Sequence, residues 1–263
     1  YNDRLREATQ GLAIAWGNVA IDWTKTNDDG RPRKYNAAFL AKDGAFLSPE
    51  GISRPYAVKA LLPNYRCFDD RRYFTSLLAL AREEGSSPED ALAPFVISLR
   101  GEVLRLSLLL CEDSWDENYS FSPMDVLSAK GSDLFLNLSA SPFTLSKNEK
   151  RHRMLSAKLS RLHVPMLYVN RRGLENNGKT CYTFDGMTAA YGKDGRLLAE
   201  AAPFEEARST FHFEKSTDAL LPASPMPPWQ GDLLLFAMRY GVRKFLSTIG
   251  VSKVVIGVSG GID

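Results

Sequence analysis

The chain has 263 residues, 44% of them hydrophobic and 24% charged, which excludes a disordered polar chain and supplies enough apolar material for one large domain. Its formal net charge of +2 is too near balance to pull it toward nucleic acid or a membrane surface, so any such binding needs a specific site. Cys67, Cys111 and Cys181 stand far apart with no C-x-x-C pair, which suits a reducing compartment and makes the cytoplasm the expected location.

The chain opens without Met on an amphipathic segment rather than a signal sequence, so a processed or trimmed chain is expected, and no apolar run approaches the roughly 20 residues that span a bilayer. In chain order, β-rich runs are predicted at Gly11 to Gly17, Tyr35 to Leu47, Tyr56 to Leu62, Phe95 to Leu110, Leu134 to Leu138, Met166 to Asn170, Tyr182 to Leu198 and Ser209 to Phe213. Lys42-Asp43-Gly44, Arg100-Gly101-Glu102 and Lys193-Asp194-Gly195 read as hairpin turns inside three of them. Amphipathic helices are predicted over Arg71 to Glu84, Pro123 to Lys130, Lys147 to Leu162 and Gly231 to Thr248. Helices interleaved with strands and hairpins indicate an α/β domain with mixed sheets. Proline-rich Leu221 to Pro228 reads as a linker, and Lys253 to Val258 as a short apolar strand before Ser259-Gly260-Gly261-Ile262-Asp263.

Chemistry concentrates where the leucine run of 106–110 ends in Cys111-Glu112-Asp113-Ser114-Trp115. A thiol at the end of a hydrophobic strand is either a small core residue or a nucleophile presented to a cleft, and its partners decide. Lys59, on an otherwise apolar strand ended by Pro63, can stabilise a developing oxyanion or simply snorkel to water. Phe135 to Phe143 is another apolar strand ending in hydroxyl residues, suited to a polar ligand or an ordinary turn. His152, His163 and His212 show no ligand spacing, so no metal site is expected. The basic run from Lys147 to Arg161 lacks interleaved aromatics and reads as a solvated face rather than a nucleic-acid site. The closing glycines could admit phosphates to backbone N–H groups, or form a plain strand-to-helix turn.

Taken in order, K-x-x-L-P-N-Y with F-D-D-x-R-Y-F (Lys59 to Phe74), C-E-D-S-W (Cys111 to Trp115), N-L-S-A-S-P-F (Asn137 to Phe143), Y-V-N (Tyr168 to Asn170) and F-D-G (Phe184 to Gly186) resemble the glutaminase domain of glutamine-dependent NAD synthetases, a nitrilase-superfamily branch. The closing V-I-G-V-S-G-G-I-D resembles the phosphate-binding loop of the ATP pyrophosphatase half of that family, so the resemblance covers Gly11 to Asp263. It implies a four-layer αββα sandwich, the nitrilase or carbon-nitrogen hydrolase fold. The implied organisation is a glutaminase domain over 1–214, incomplete at its N-terminus, a linker over 215–230, and the start of a synthetase domain over 231–263, cut in the phosphate-binding loop.

The implied activity is release of ammonia from glutamine through a cysteine thioester, for ATP-dependent amidation of deamido-NAD. Cys111 would be the nucleophile and Lys59 the stabiliser of the tetrahedral intermediate. Tyr65, Glu112, Ser141 and Lys147 would hold glutamine, with Lys147 on its α-carboxylate and Glu112 on its α-amino group. Ser259, Gly260, Gly261 and Asp263 would help grip ATP, with Mg²⁺ at a synthetase site mostly outside the chain, and none of these is needed for the glutaminase step. The family's general-base glutamate lies on a strand before the first helix. Neither Glu7 nor Glu50 matches it, so the base is expected upstream of Tyr1 and the chain alone is expected to be inactive or incomplete. The family is usually a homo-oligomer. The chain departs from the pattern at Arg171 to Tyr182, a longer, basic and polar stretch containing Cys181. A free-standing nitrilase-type amidase on another small amide and a degenerate scaffold domain stand as alternatives.

Overall fold

Strand residues alternate between two apolar environments, and that alternation builds the architecture. The structure is a computed structural model that describes all residues except Asp28, Asn177, Lys179, Pro225, Pro227, Pro228, Ser259, Ile262 and Asp263. After α1 (Asn2–Glu7), β1 (Ala13–Thr26) pairs antiparallel with β2 (Pro32–Lys42), which also pairs with β3 (Ala45–Phe46) and β4 (Ala57–Val58) in a 4-stranded sheet. Two short helices follow, α2 (Asp70–Tyr73) and α3 (Leu77–Glu83), and then β5 (Phe95–Leu99) and β6 (Glu102–Leu110). Beyond a 3₁₀ turn at Cys111–Ser114 come α4 (Pro123–Ala129), β7 (Leu134–Ser139), α5 (Lys147–Leu162) and β8 (Met166–Asn170).

The chain continues through β9 (Arg172–Asn176), β10 (Cys181–Asp185), β11 (Ala189–Tyr191), β12 (Leu197–Glu200), β13 (Phe211–Glu214), β14 (Ala219–Pro222) and α6 (Leu233–Thr248). A 6-stranded sheet runs β12-β11-β8-β7-β6-β5, parallel through β6, β7 and β8 and antiparallel at its flanks. On β2, Ala38 and Leu40 pack with Leu106, Leu108 and Leu110 of β6 in a core between the two sheets. Their alternates Ala37 and Phe39 join a second core with Leu77 and Leu80 of α3, Met124 and Leu127 of α4, and Leu155 and Leu159 of α5. Burial on both faces explains why residues 106–110 of β6 are leucine at every position but Ser107 instead of alternating with polar residues. Together the layers give the expected αββα sandwich.

All three expected hairpin turns form. Asp43 and Gly44 take φ of 49° and 82°, and Arg100 and Gly101 take 50° and 87°, the positive pair that a type I′ turn requires. Other expectations need correction. The helix predicted over Arg71 to Glu84 is broken at Phe74–Ser76, where Ser76 turns extended and its hydroxyl caps α3 by accepting from Ala79 N at 3.2 Å. The polar stretch at Arg171 to Tyr182 contains the paired strands β9 and β10 rather than a plain loop. Pairing of β13 with β14 runs to Pro222, inside the stretch read as linker. Residues 253–258 form no strand: Val255, Ile256 and Val258 are 100%, 78% and 84% exposed, and no described neighbour supplies a ladder.

Candidate active site

Strand β6 delivers Cys111 into a cleft. Its parallel partner β7 is in register from Leu106↔Leu134 to Leu110↔Leu138, so the thiol emerges beside Ser139 at the C-terminal edge of the sheet. Cys111 takes φ of +47°, a left-handed conformation that costs energy for a side-chain-bearing residue. Such a turn at a strand end aims a side chain outward instead of along the ladder. The thiol is half-buried and opens on a cavity of 750 Å³ lined also by Tyr65, Glu112, Ser141 and Lys147.

Asp113 holds this turn against the lysine segment. Its Oδ1 accepts from the backbone N–H groups of Ala60 (3.0 Å) and Leu61 (2.9 Å), and its Oδ2 accepts from Leu110 N at 3.0 Å. Burial pushes its carboxyl up to about 6, against those N–H donors and Lys59. The strand predicted over Tyr56 to Leu62 is reduced to Ala57–Val58, and Lys59 follows it directly, with its N–H donating to Asn36 O at 2.9 Å. Fixed at both backbone sides, Lys59 buries its chain and donates from Nζ to Asp70 Oδ2 at 2.7 Å. Burial opposes its charge, but Cys111, Asp70 and Asp113 outweigh it and hold the ammonium above the ordinary lysine range. At Cys111 burial pushes the thiol up, while Lys59 and Lys147 pull it down.

Glu112 is buried and accepts from the hydroxyls of both Tyr65 (3.0 Å to each oxygen) and Tyr119 (3.0 Å). Burial, then Glu112, raises both phenols, Tyr119 to about 12, so each stays a donor. Lys147, at the first turn of α5, donates to Pro142 O at 3.3 Å and sits 5.8 Å from the Phe68 ring centre. Burial lowers its pKa, which leaves a cation short of partners facing the cavity. Ser141 is 2% exposed, with its backbone clamped by Asn170: Ser141 N donates to Oδ1 at 2.9 Å and Ser141 O accepts from Nδ2 at 3.3 Å.

Cys111, Lys59, Tyr65, Glu112, Ser141 and Lys147 therefore converge from separate parts of the chain. The terminal-loop residues do not join them. Gly260 has φ of +86° beyond the exposed 251–258 stretch, Gly261 is described beside it, and Ser259 and Asp263 lie outside the described residues. Glu7 pairs with Arg6 and Glu50 with Arg105, both away from the cleft. Among the described residues there is no group of three or more His, Cys, Asp or Glu able to hold a metal ion, and no helix is long and apolar enough to cross a membrane. Asp70, Asp113 and Tyr119 were not singled out by sequence reasoning. The F-D-D and C-E-D motifs contain the two acids, but spacing alone does not say which member of a doublet turns inward.

No protein-family model matches the chain. The glutamine-dependent NAD(+) synthetase of Synechocystis sp. is 28% identical over 261 residues, covering 96% of this chain and 42% of that protein. Among solved structures, the glutamine-dependent NAD+ synthetase of Acinetobacter baumannii in complex with ADP superposes with a TM-score of 0.72 at 25% identity, over 98% of this chain and 42% of that one. A carbon-nitrogen hydrolase from Helicobacter pylori G27 shares the fold, with a TM-score of 0.56 at 19% identity over 78% of this chain and 63% of that one. The chain thus spans about two fifths of the length of the curated relatives it matches. It has the carbon–nitrogen hydrolase fold and is, along nearly its whole length, similar to glutamine-dependent NAD(+) synthetases.

Proposed function

We propose that this chain is the glutaminase part of a glutamine-dependent NAD synthetase and that Cys111 is its nucleophile. The observation that carries this reading is the strained strand end that presents Cys111 to the cavity, with Lys59 fixed opposite through Asp113. The thiolate of Cys111 adds to the side-chain amide carbon of glutamine, and the Lys59 ammonium stabilises the oxyanion that forms. The proton given up when the Cys111 thiol ionises passes to the amide nitrogen, the C–N bond breaks and ammonia leaves, giving a glutamyl thioester, and water then breaks the C–S bond to release glutamate and restore the thiol. Lys147 pairs with the α-carboxylate, Glu112 accepts from the α-amino group, and Tyr65 and Ser141 complete the pocket. Asp70 keeps the Lys59 side chain in place. The general-base glutamate that the family resemblance implies is not supplied by Glu7 or Glu50, neither of which lines the cavity.

The released ammonia serves a separate site that amidates deamido-NAD with ATP. The ADP held by the Acinetobacter baumannii relative supports nucleotide use there, and Mg²⁺ would accompany the phosphates. Ser259, Gly260, Gly261 and Asp263 are proposed to touch that nucleotide. A homo-oligomer that shelters the ammonia path completes the proposal. The test is NAD formation from deamido-NAD by the protein that carries this chain, driven either by glutamine or by ammonia. Cys111→Ala should abolish the glutamine-driven reaction and spare the ammonia-driven one, whereas loss of both or of neither would contradict the assignment.

A further inference from the structure

Two phenols hold Glu112 in the cavity, and they are mounted differently. Glu112 is 5% exposed, and neither hydroxyl that donates to it carries a charge, so a buried carboxylate gains no counter-charge from them. A phenol has a single proton, so the contacts of Tyr65 to both Glu112 oxygens, each 3.0 Å, amount to one shared hydrogen bond. Tyr119 donates to Oε1 alone, at 3.0 Å. Two hydrogen bonds thus occupy a group that can accept about four, and Oε2 holds only the shared one. What this carboxylate lacks is a cation with more than one proton to give, which describes a primary ammonium and not an amide N–H.

Tyr119 stands on an anchored turn. It closes the 3₁₀ turn Asp116–Asn118, with its N–H donating to Asp116 O at 2.9 Å, and its ring packs against the core that holds Phe121 and Met124. Asp116 is itself buried and accepts from Lys158 of α5 and from Ser122, the N-cap of α4. Tyr65 stands on an open one. Asn64 through Cys67 are all exposed, Tyr65 by 47%, and its ring meets Phe68. Moving Tyr65 costs little, whereas moving Tyr119 disturbs packed and paired groups. An arriving ammonium can therefore displace the shared proton of Tyr65 at Oε2 while the bond that orients Oε1 stays in place.

We propose that Tyr119 is a positioning residue that sets substrate specificity: it is the fixed donor that aims Glu112 at the α-amino group of glutamine, while Tyr65 is the donor that yields to that group. The site then selects amides with a free α-amino group over those that lack it. This rests on the reading of the cavity as a glutamine site. Tyr119 acts through Glu112 and not on the reacting amide, so its effect belongs to binding of the amino end and is separable from the chemistry at Cys111.

The test compares two amides as substrates of the protein that carries this chain: glutamine, and glutaramate, which is glutamine without its α-amino group. Tyr119→Phe removes one oxygen and leaves the ring against the core. It should raise KM for glutamine about tenfold with kcat within about twofold, and leave kcat/KM for glutaramate unchanged, so the preference for glutamine falls about tenfold. Tyr65→Phe should lower that preference by less. On a Glu112→Gln background, Tyr119→Phe should change it by no more than about twofold, because its effect runs through the carboxylate. An equal fall for both amides, which a merely structural role would give, overturns the proposal, as does an unchanged preference or a larger loss in Tyr65→Phe. Protection of Cys111 from iodoacetamide, read by peptide mass spectrometry, repeats the comparison without turnover. Tyr119→Phe should raise the glutamine concentration that half-protects about tenfold and leave that of glutaramate where it is. That pattern in a protein that hydrolyses neither amide would reject the glutaminase reading and keep the role of Tyr119, whereas failure of glutamine to protect would overturn both.

Discussion

The end of β6 and the 251–258 stretch begin from the same kind of sequence, an apolar run leading into small and polar residues, yet they end in opposite states. Leu106 to Leu110 are laddered to β7 on one side and covered on both faces, and the turn after them is tied down by Asp113. Val255, Ile256 and Val258 lie open to solvent, without a described strand beside them. Hydrophobicity supplies the tendency to form a strand, but the neighbouring ladder and the covering face supply the strand itself. Chemistry can be built only on the first kind of segment, because a reactive side chain must be held in one geometry.

Substitutions in the two regions put this contrast under strain. The largest effect is expected at the proposed nucleophile, where Cys111→Ala should lower glutamine hydrolysis at least about a thousandfold in a glutaminase assay. Lys59→Met should cost about a hundredfold or more and raise the pH at which Cys111 alkylates, because Lys59 pulls the thiol down. Leu109→Ala, at a site 1% exposed, should cost about 2–5 kcal/mol in urea unfolding. Asp113→Ala leaves three backbone N–H groups without their acceptor and should cost about 1–3 kcal/mol. Its pH dependence has a definite sign. A carboxyl raised from 3.8 to about 6 on folding contributes stability that is full below the lower value and is lost as pH rises through the upper one. The deficit of Asp113→Ala should therefore be larger near pH 4 than near pH 7. Ile256→Asp, 78% exposed in the wild type, should change the unfolding free energy of this chain by no more than about 0.5 kcal/mol. A cost there as large as that of Leu109→Ala would erase the distinction between the two regions.

Much of this was legible where one physical signal was enough. The hairpins followed from Asp-Gly and Arg-Gly turns, and α5 begins and ends where its amphipathic pattern does, at Lys147 and Leu162. Five of the six residues that the resemblance implies line one cavity, and Lys59 lies close behind it beside Cys111, through motifs whose order carried that resemblance. What escaped depends on contacts across the chain. Asp113 and Asp70 look like any solvated acid until the fold brings the first against 60–61 and the second against Lys59. Arg151 sits in a basic run that reads as a wet surface, yet its guanidinium is buried against Tyr168. The helix expected through 71–84 breaks because Ser76 gains more as a cap than as a helical residue, a local competition that an amphipathic pattern cannot register.

The most direct test of the account is to capture the glutamyl group on its proposed acceptor. The protein carrying this chain would be mixed with glutamine, quenched in acid and digested, and the peptides containing Cys111, Cys67 and Cys181 weighed by mass spectrometry. The account predicts a glutamyl thioester on Cys111 alone, absent when Lys59 is replaced by Met. A glutamyl adduct on Cys67 or Cys181, or glutamine hydrolysis that proceeds with no adduct on Cys111, would contradict it.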